Sequence, residues 1–305
     1  MIVNFPQALR FSISLIALAL CINANAHESH QSRIQHLEHK LDQSVHSESA
    51  ELLLLRADLH RRQKNWDAAL HDYQVVADKE PENSEMMLGR AQLHLDQHQF
   101  FMAIKWSTRL LDLQPDNARA SLHFARALAG IGQIEPAIVV FERAIHQQLS
   151  KPRPEHYIEL AQIVNADGSS KLNIERAVAI LDKGAVALGN PVSLHNIAYQ
   201  LELESGYHDA ALQRAEKVLA RNSSLLNWRL QRGELLLETG RYGESRSELS
   251  CLIHRIRQLP TQRRNSRAFA LMLQRGEDLL ARLNAVHATA TQPVAARHAE
   301  FTIAC

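Results

Sequence analysis

A period of 34 residues governs the first half of this chain. Laid in rows of that length from Ala50, Ser84 and Ala118, the sequence brings Ala57, Ala91 and Ala125 into one column and Ala69, Ala103 and Ala137 into a second. Pro81 and Pro115 share a third column, with Leu149 next in line. Self-similarity at such a period signals one supersecondary unit used repeatedly, each copy burying its apolar face only against its neighbours. In the first row Leu52, Leu55 and Leu59 recur at spacings of three and four, the signature of one helix face. Asn65-Trp66-Asp67 interrupts that pattern and opens a second helix, striped by Ala69, Leu70, Tyr73 and Val76 and closed by Pro81. Each row therefore reads as a helical hairpin. Two antiparallel helices approach closely only where the contacting side chains are small, which accounts for the alanine columns. The bulkier Trp66, Tyr73, Phe100 and Phe141 fill the space beside them.

The stretch Leu52 to Asn83, LLLLRADLHRRQKNWDAALHDYQVVADKEPEN, has a small–aromatic–Ala–aromatic–Pro order that closely resembles the tetratricopeptide repeat family. The resemblance implies an all-α, right-handed superhelical solenoid of about six helix-turn-helix repeats. Three regular repeats are expected over 50–151 and three divergent ones over 152–260. The fourth starts near Pro154, with Ala161 and Ala177 set apart by an insert at Asp167 to Lys171. The fifth starts near Pro191, with Ala198 and Ala211, and the sixth near Leu226, with Gly233 and Ser245 in the small columns. Helical caps are expected at 27–49, on Ile34, Leu37 and Leu41, and at 261–283, on Phe269, Leu273, Leu280 and Leu283. Residues 284–305 lack a clear period and are expected to form a disordered tail.

In the resembled family the first helix of each pair lines a concave groove, and fixed positions on it touch the ligand. Those positions here hold Leu54, Asp58 and Arg61 in the first row, Leu88 and Gln92 in the second, and Arg119, Leu122 and Arg126 in the third. The Lys and Asn clamp by which some members hold a C-terminal carboxylate is missing, since Leu54 with Asp58 and Leu88 with Gln92 stand in its place. The aliphatic column Leu54, Leu88, Leu122 and Ile158 is expected either to grip an extended or helical peptide or to be the inner edge of the core. The function implied is that of an interaction scaffold for a peptide or partner protein.

Residues 1–26 read differently. Phe11 to Ile22 is an apolar run too short for a membrane span, and Ala24-Asn25-Ala26 supplies the small residues of a signal-peptidase site, so cleavage is expected before His27 with export to the periplasm or beyond. Removing Arg10 with that segment leaves 33 Lys plus Arg against 33 Asp plus Glu, which gives no global charge argument for nucleic acid or an anionic membrane. No other apolar stretch approaches membrane length. A composition 46% hydrophobic and 22% charged is too apolar for a disordered chain.

No metalloprotease, phosphate-loop, nucleophile-elbow or zinc-finger spacing occurs, so no catalytic residue, resident metal or cofactor is expected, and the chain reads as a non-enzyme. Two secondary readings stand beside the scaffold. One is zinc or copper capture by His27, His30, His36, His39 and His46; the other is a non-catalytic role in an envelope enzyme complex. The stretch 249–276 holds Arg255, Arg257, Arg263, Arg264, Arg267 and Arg275 without an acidic residue, which suits an acidic partner or a solvated loop. Cys251 and Cys305 remain in the exported chain as a pair able to bridge.

Overall fold

The computed structural model describes residues 31–41, 49–166 and 170–290, with side chains to residue 285. No strand occurs among the described residues. The N-terminal helix α1 covers residues 31–41. Six helix pairs follow: α2 (Ser49–Arg62) with α3 (Trp66–Lys79), α4 (Ser84–Asp96) with α5 (Phe100–Leu113), α6 (Ala118–Gly130) with α7 (Ile134–Arg143), α8 (Pro154–Val164) with α9 (Lys171–Ala187), α10 (Val192–Glu204) with α11 (His208–Arg221), and α12 (Leu226–Glu238) with α13 (Tyr242–Arg257). A short turn of helix, α14 (Thr261–Arg264), leads to α15 (Arg267–Ala290). The chain divides into two compact units between Lys151 and Pro152.

The alanine columns lie where the packing argument puts them. Ala57, Ala91, Ala125, Ala69, Ala103 and Ala137 are all buried. In the second unit Ala161 with Ala177, and Ala198 with Ala211, are buried in the same way, and Ser245 Oγ donates to the Gly233 carbonyl at 2.7 Å. Glycines admit the aromatic rings: a Cβ on Gly89 would lie 2.5 Å from the Tyr73 ring, and one on Gly184 would collide with Tyr157.

Local signals set the helix ends. Asn83 and Asn117, one period apart, cap α4 and α6 by accepting from the Met86 and Ala120 amides at 2.9 and 3.0 Å. The hairpin turn needs one residue of left-handed backbone, which falls at the same place in each regular row: Lys64 (φ 62), His98 (φ 56) and Gly132 (φ 81). Gly206 and Gly240 serve the fifth and sixth pairs. Where the third row has Leu149 in place of proline, the helix does not stop. It continues from α7 through a π turn at Ala144–Gln148, and the Leu149 amide donates to the Ala144 carbonyl at 2.9 Å.

A second column ties the two helices of a pair together. The seventh and twenty-third residues of the first row, Arg56 and Asp72, form a bidentate ion pair at 2.7 and 2.8 Å with Asp72 buried. In the second row the same places hold Arg90 and Trp106, with the guanidinium 4.5 Å above the indole. In the sixth they hold Arg232 and Glu248, joined at 2.5 Å.

In the first unit α1 sets Ile34 and Leu37 against Leu59 and Leu52 of α2. In the second, α15 sets Leu279 and Leu283 against Leu249, Leu252 and Ile256. This last helix runs past Leu283 to Ala290, so the expectation of a disordered tail from residue 284 is corrected over its first turns. Alanines supply helix propensity there that hydrophobic periodicity does not register. Cys251 is buried in α13 and disulfide-bonded; Cys305 lies outside the described residues, as does the signal segment 1–26.

Candidate functional site: a charged groove in the first unit

One face of α2, α4 and α6 lines a cavity of about 610 Å³ in the first unit. Helix phase puts Leu54, Asp58 and Arg61 there from α2, Leu88 and Gln92 from α4, and Arg119 from α6. Tyr73 and Gly89 form part of its wall, and Arg62, Glu85 and His123 complete it. Six of the eight residues expected at the groove therefore share one cavity. Leu122 and Arg126 do not line it.

Burial favours the core over the peptide-gripping strip at two positions of the aliphatic column. Leu88 and Leu122 are 3% and 5% exposed, and Leu88 belongs to the core cluster of the unit. Leu54 and Ile158 are half-buried. A glutamate at Leu88 would therefore place a charge in the core and damage the fold before it could report on binding.

The polar groups form two sets. Asp58 accepts from Arg61 at 2.6 and 3.2 Å and from Arg62 at 2.7 Å. Arg61 also pairs with Asp96, which accepts from Gln92 at 2.7 Å. Burial pushes the Asp58 carboxyl up, but the hydrogen bonds from Arg61 and Arg62 outweigh it and hold the carboxyl below its ordinary value. Burial likewise works against the Arg61 charge, and its bonds to Asp58 and Asp96 reverse the effect and raise its pKa. The second set is exposed: one Arg119 amino group donates to both Glu85 oxygens at 2.7 and 2.9 Å, with each side chain about 60% exposed. Such a bridge contributes about 0–1 kcal/mol, so a ligand charge can replace either partner at little cost.

His123 was not singled out from the sequence. It is 7% exposed, and its Nδ1 has no hydrogen-bond partner among the described residues. Burial, then Arg126, Arg119 and Arg61, lowers its pKa to about 3, so the ring is neutral at physiological pH. A signal for it existed: His123 stands four residues after Arg119 and three before Arg126 on the same helix face. Tyr73 is pushed to about 12, chiefly by burial.

Among the described residues no group of three or more His, Cys, Asp or Glu side chains is placed to hold a metal ion. His27, His30 and His46 of the proposed metal-capturing segment lie outside the described residues. The arginine-rich stretch finds acids beyond its own ends, with Arg257 bound to Glu277 at 2.6 Å and Arg275 to Glu234 at 2.7 Å. Arg255 and Arg264 donate to the carbonyls of Ser223 and Arg257. Much of its donor capacity is thus spent within the second unit.

Residues 54–118 match the family model described as "Tetratricopeptide repeat". No curated protein matches the chain. Among solved structures, it is similar to a tetratricopeptide repeat protein from Parabacteroides merdae ATCC 43184 (15% identity over 87% of this chain and 98% of that one, TM-score 0.48). It is also similar to the type IV pilus biogenesis factor PilW (14% identity, 74% and 96% covered, TM-score 0.47). A third is a thermophilic tetratricopeptide protein of Thermus thermophilus (19% identity, 62% and 99% covered, TM-score 0.42). The matched residues run from α2 into α6, and helical hairpins with the same small-residue contact recur beyond them, so the fold is that of a tetratricopeptide repeat solenoid.

Proposed function

We propose that this chain is an exported interaction scaffold, working in the periplasm, whose first unit holds a peptide or a segment of a partner protein in the groove of α2, α4 and α6. The tetratricopeptide fold is a platform for protein partners, and the chain carries it. The observation that carries the reading is the lining of the groove. Three successive repeats present the same helix face to one cavity, with a half-buried leucine, Leu54, beside an exposed and replaceable ion pair, Arg119 with Glu85. A partner charge exchanging into that pair would set orientation, and an apolar side chain against Leu54 would supply contact area. Export is supported by the sequence of residues 1–26, and no described helix is long and apolar enough to cross a membrane.

Selection of peptides from a random library on the chain lacking residues 1–26 tests the groove. Arg119→Glu should weaken a selected peptide about tenfold, while Phe101→Ser, at an exposed position on α5 outside the cavity, should leave it unchanged. Equal affinity for wild type, Arg119→Glu and Leu54→Glu would sink the assignment. Osmotic-shock fractionation of the native host tests location, and retention of the full-length chain in the cytoplasm would contradict export.

A further inference from the structure

The second unit holds an ion network centred on one buried arginine. Arg214 on α11 is 8% exposed and binds Glu202 of α10 in bidentate fashion at 2.8 and 2.9 Å. It binds Asp182 of α9 at 2.5 and 3.1 Å. Its remaining donor faces His195 Nδ1 of α10 at 3.4 Å. A guanidinium has five N–H donors and no acceptor. All five are engaged here, and both carboxylates accept from the same cation.

This arrangement decides the histidine tautomer. Arginine can only donate, so His195 Nδ1 accepts and the ring proton sits on Nε2. Nε2 is buried and has no partner. Burial, then the Arg214 charge, with Arg221 and Lys217 adding to it against Asp182, lowers the pKa of His195 and keeps the ring neutral. The molecule thus fixes a buried hydrogen-bond donor that has no acceptor among the described residues.

His195 lines a cavity of about 410 Å³ between α9 and α11. Lys217 and Arg221 border it, and both are exposed and without an ion-pair partner among the described residues. With Arg214 they make three cations against the two carboxylates Asp182 and Glu202. Val186, 76% exposed, gives the same cavity an apolar shoulder above the buried Ala185. Along the same helices lies a second cavity of about 780 Å³, bordered by Glu175, Asp182, Glu202 and Asp209 against Lys171. The face is therefore polarised, with an excess of acid at the Asp209 end of α11 and of base at the Arg221 end.

We propose that this face of the second unit is a separate binding site for an acidic peptide segment, with one of its carboxylates held by His195 Nε2–H, Lys217 and Arg221 and a neighbouring aliphatic side chain resting on Val186. Charge complementarity selects the occupant and its register, because the acidic cavity repels the same segment at the other end of the face. The site is independent of the groove in the first unit.

The test uses the chain lacking residues 1–26 and a fluorescein-labelled peptide of alternating Leu and Glu, read by anisotropy, with an alternating Leu and Lys peptide as the opposite-charge probe. The acidic peptide should bind and the basic one should not. The double variant Lys217→Glu, Arg221→Glu should weaken binding by about tenfold or more, as two exposed charges at a binding site do, and Arg263→Glu on α14 should not. Binding should move the His195 imidazole nitrogen signals in selectively labelled protein while keeping the Nε2–H tautomer. Three results overturn the proposal: no binding by the wild type, equal binding by the double variant, or displacement by inorganic phosphate at the peptide's own concentration, which would make this a site for free anions. Loss of binding in Arg119→Glu would also overturn it, by moving the peptide to the first groove.

Discussion

The two units build the same hairpin with different chemistry. The first repeats without insertion, keeps alanine in both small columns and joins its helix pairs through Arg56 with Asp72 and Arg90 with Trp106. The second drifts in period, replaces alanine by Gly233 and Ser245 in its last pair, and builds a four-residue polar network on the buried pair Arg214 and Glu202. What persists between them is volume at the helix contact, not residue identity. Ser245 fits because its hydroxyl bonds the carbonyl exposed by Gly233, so a polar atom costs nothing in a place built for a methyl. Arg214 fits because every one of its donors has an acceptor.

That comparison breaks most visibly at Arg214. Arg214→Met strands two carboxylates, one of them 5% exposed, and should cost about 3–5 kcal/mol in urea unfolding. Adding Glu202→Leu to Arg214→Met should recover part of the loss. A loss near zero for the single variant would show that the network is not buried as described.

A buried histidine of the first unit sharpens the contrast through pH. His123 has a folded pKa of about 3 against 6.5 for the free side chain, so below pH 6.5 the unfolded chain takes up a proton that the folded chain refuses. Its contribution is fully present above pH 6.5 and is lost on acidification, at about 1.4 kcal/mol per pH unit, until the folded pKa is reached. Wild type minus His123→Leu should therefore fall by about 2 kcal/mol between pH 6.5 and 5. A difference independent of pH would show that His123 is solvated in the native state.

The smallest effect concerns the turns. Lys64 and His98 hold the left-handed conformation that Gly132, Gly206 and Gly240 hold elsewhere. Lys64→Gly should stabilise the first unit by up to about 1 kcal/mol, relief of steric strain outweighing the added chain entropy. Destabilisation would mean that the Lys64 side chain makes a contact worth more than the strain.

Helix pairing was legible in the sequence because it rests on local, periodic signals. Pro154 and Leu226, expected as row starts, are the first residues of α8 and α12. Six groove residues share one cavity because helix phase alone sets which side chains face it. The burial of Leu88 and Leu122 was ambiguous, since the same position faces groove or core according to how closely the next repeat approaches. The Arg214 network was not legible. Its partners stand 12, 19 and 32 residues away, on helices whose spacing has drifted from the period. The extension of α15 beyond Leu283 was missed because a lone cap helix ends without a neighbouring repeat to mark its boundary.

A leucine scan of the small columns tests the architecture most directly. Ala57→Leu, Ala91→Leu, Ala125→Leu, Ala69→Leu, Ala103→Leu and Ala137→Leu should each lower stability in urea unfolding by about 1–3 kcal/mol, as overpacking of a tight contact does. Ala220→Leu, on the exposed face of α11, should stay within about 0.5 kcal/mol of wild type. Column variants as stable as Ala220→Leu would contradict the close approach of paired helices on which both grooves depend.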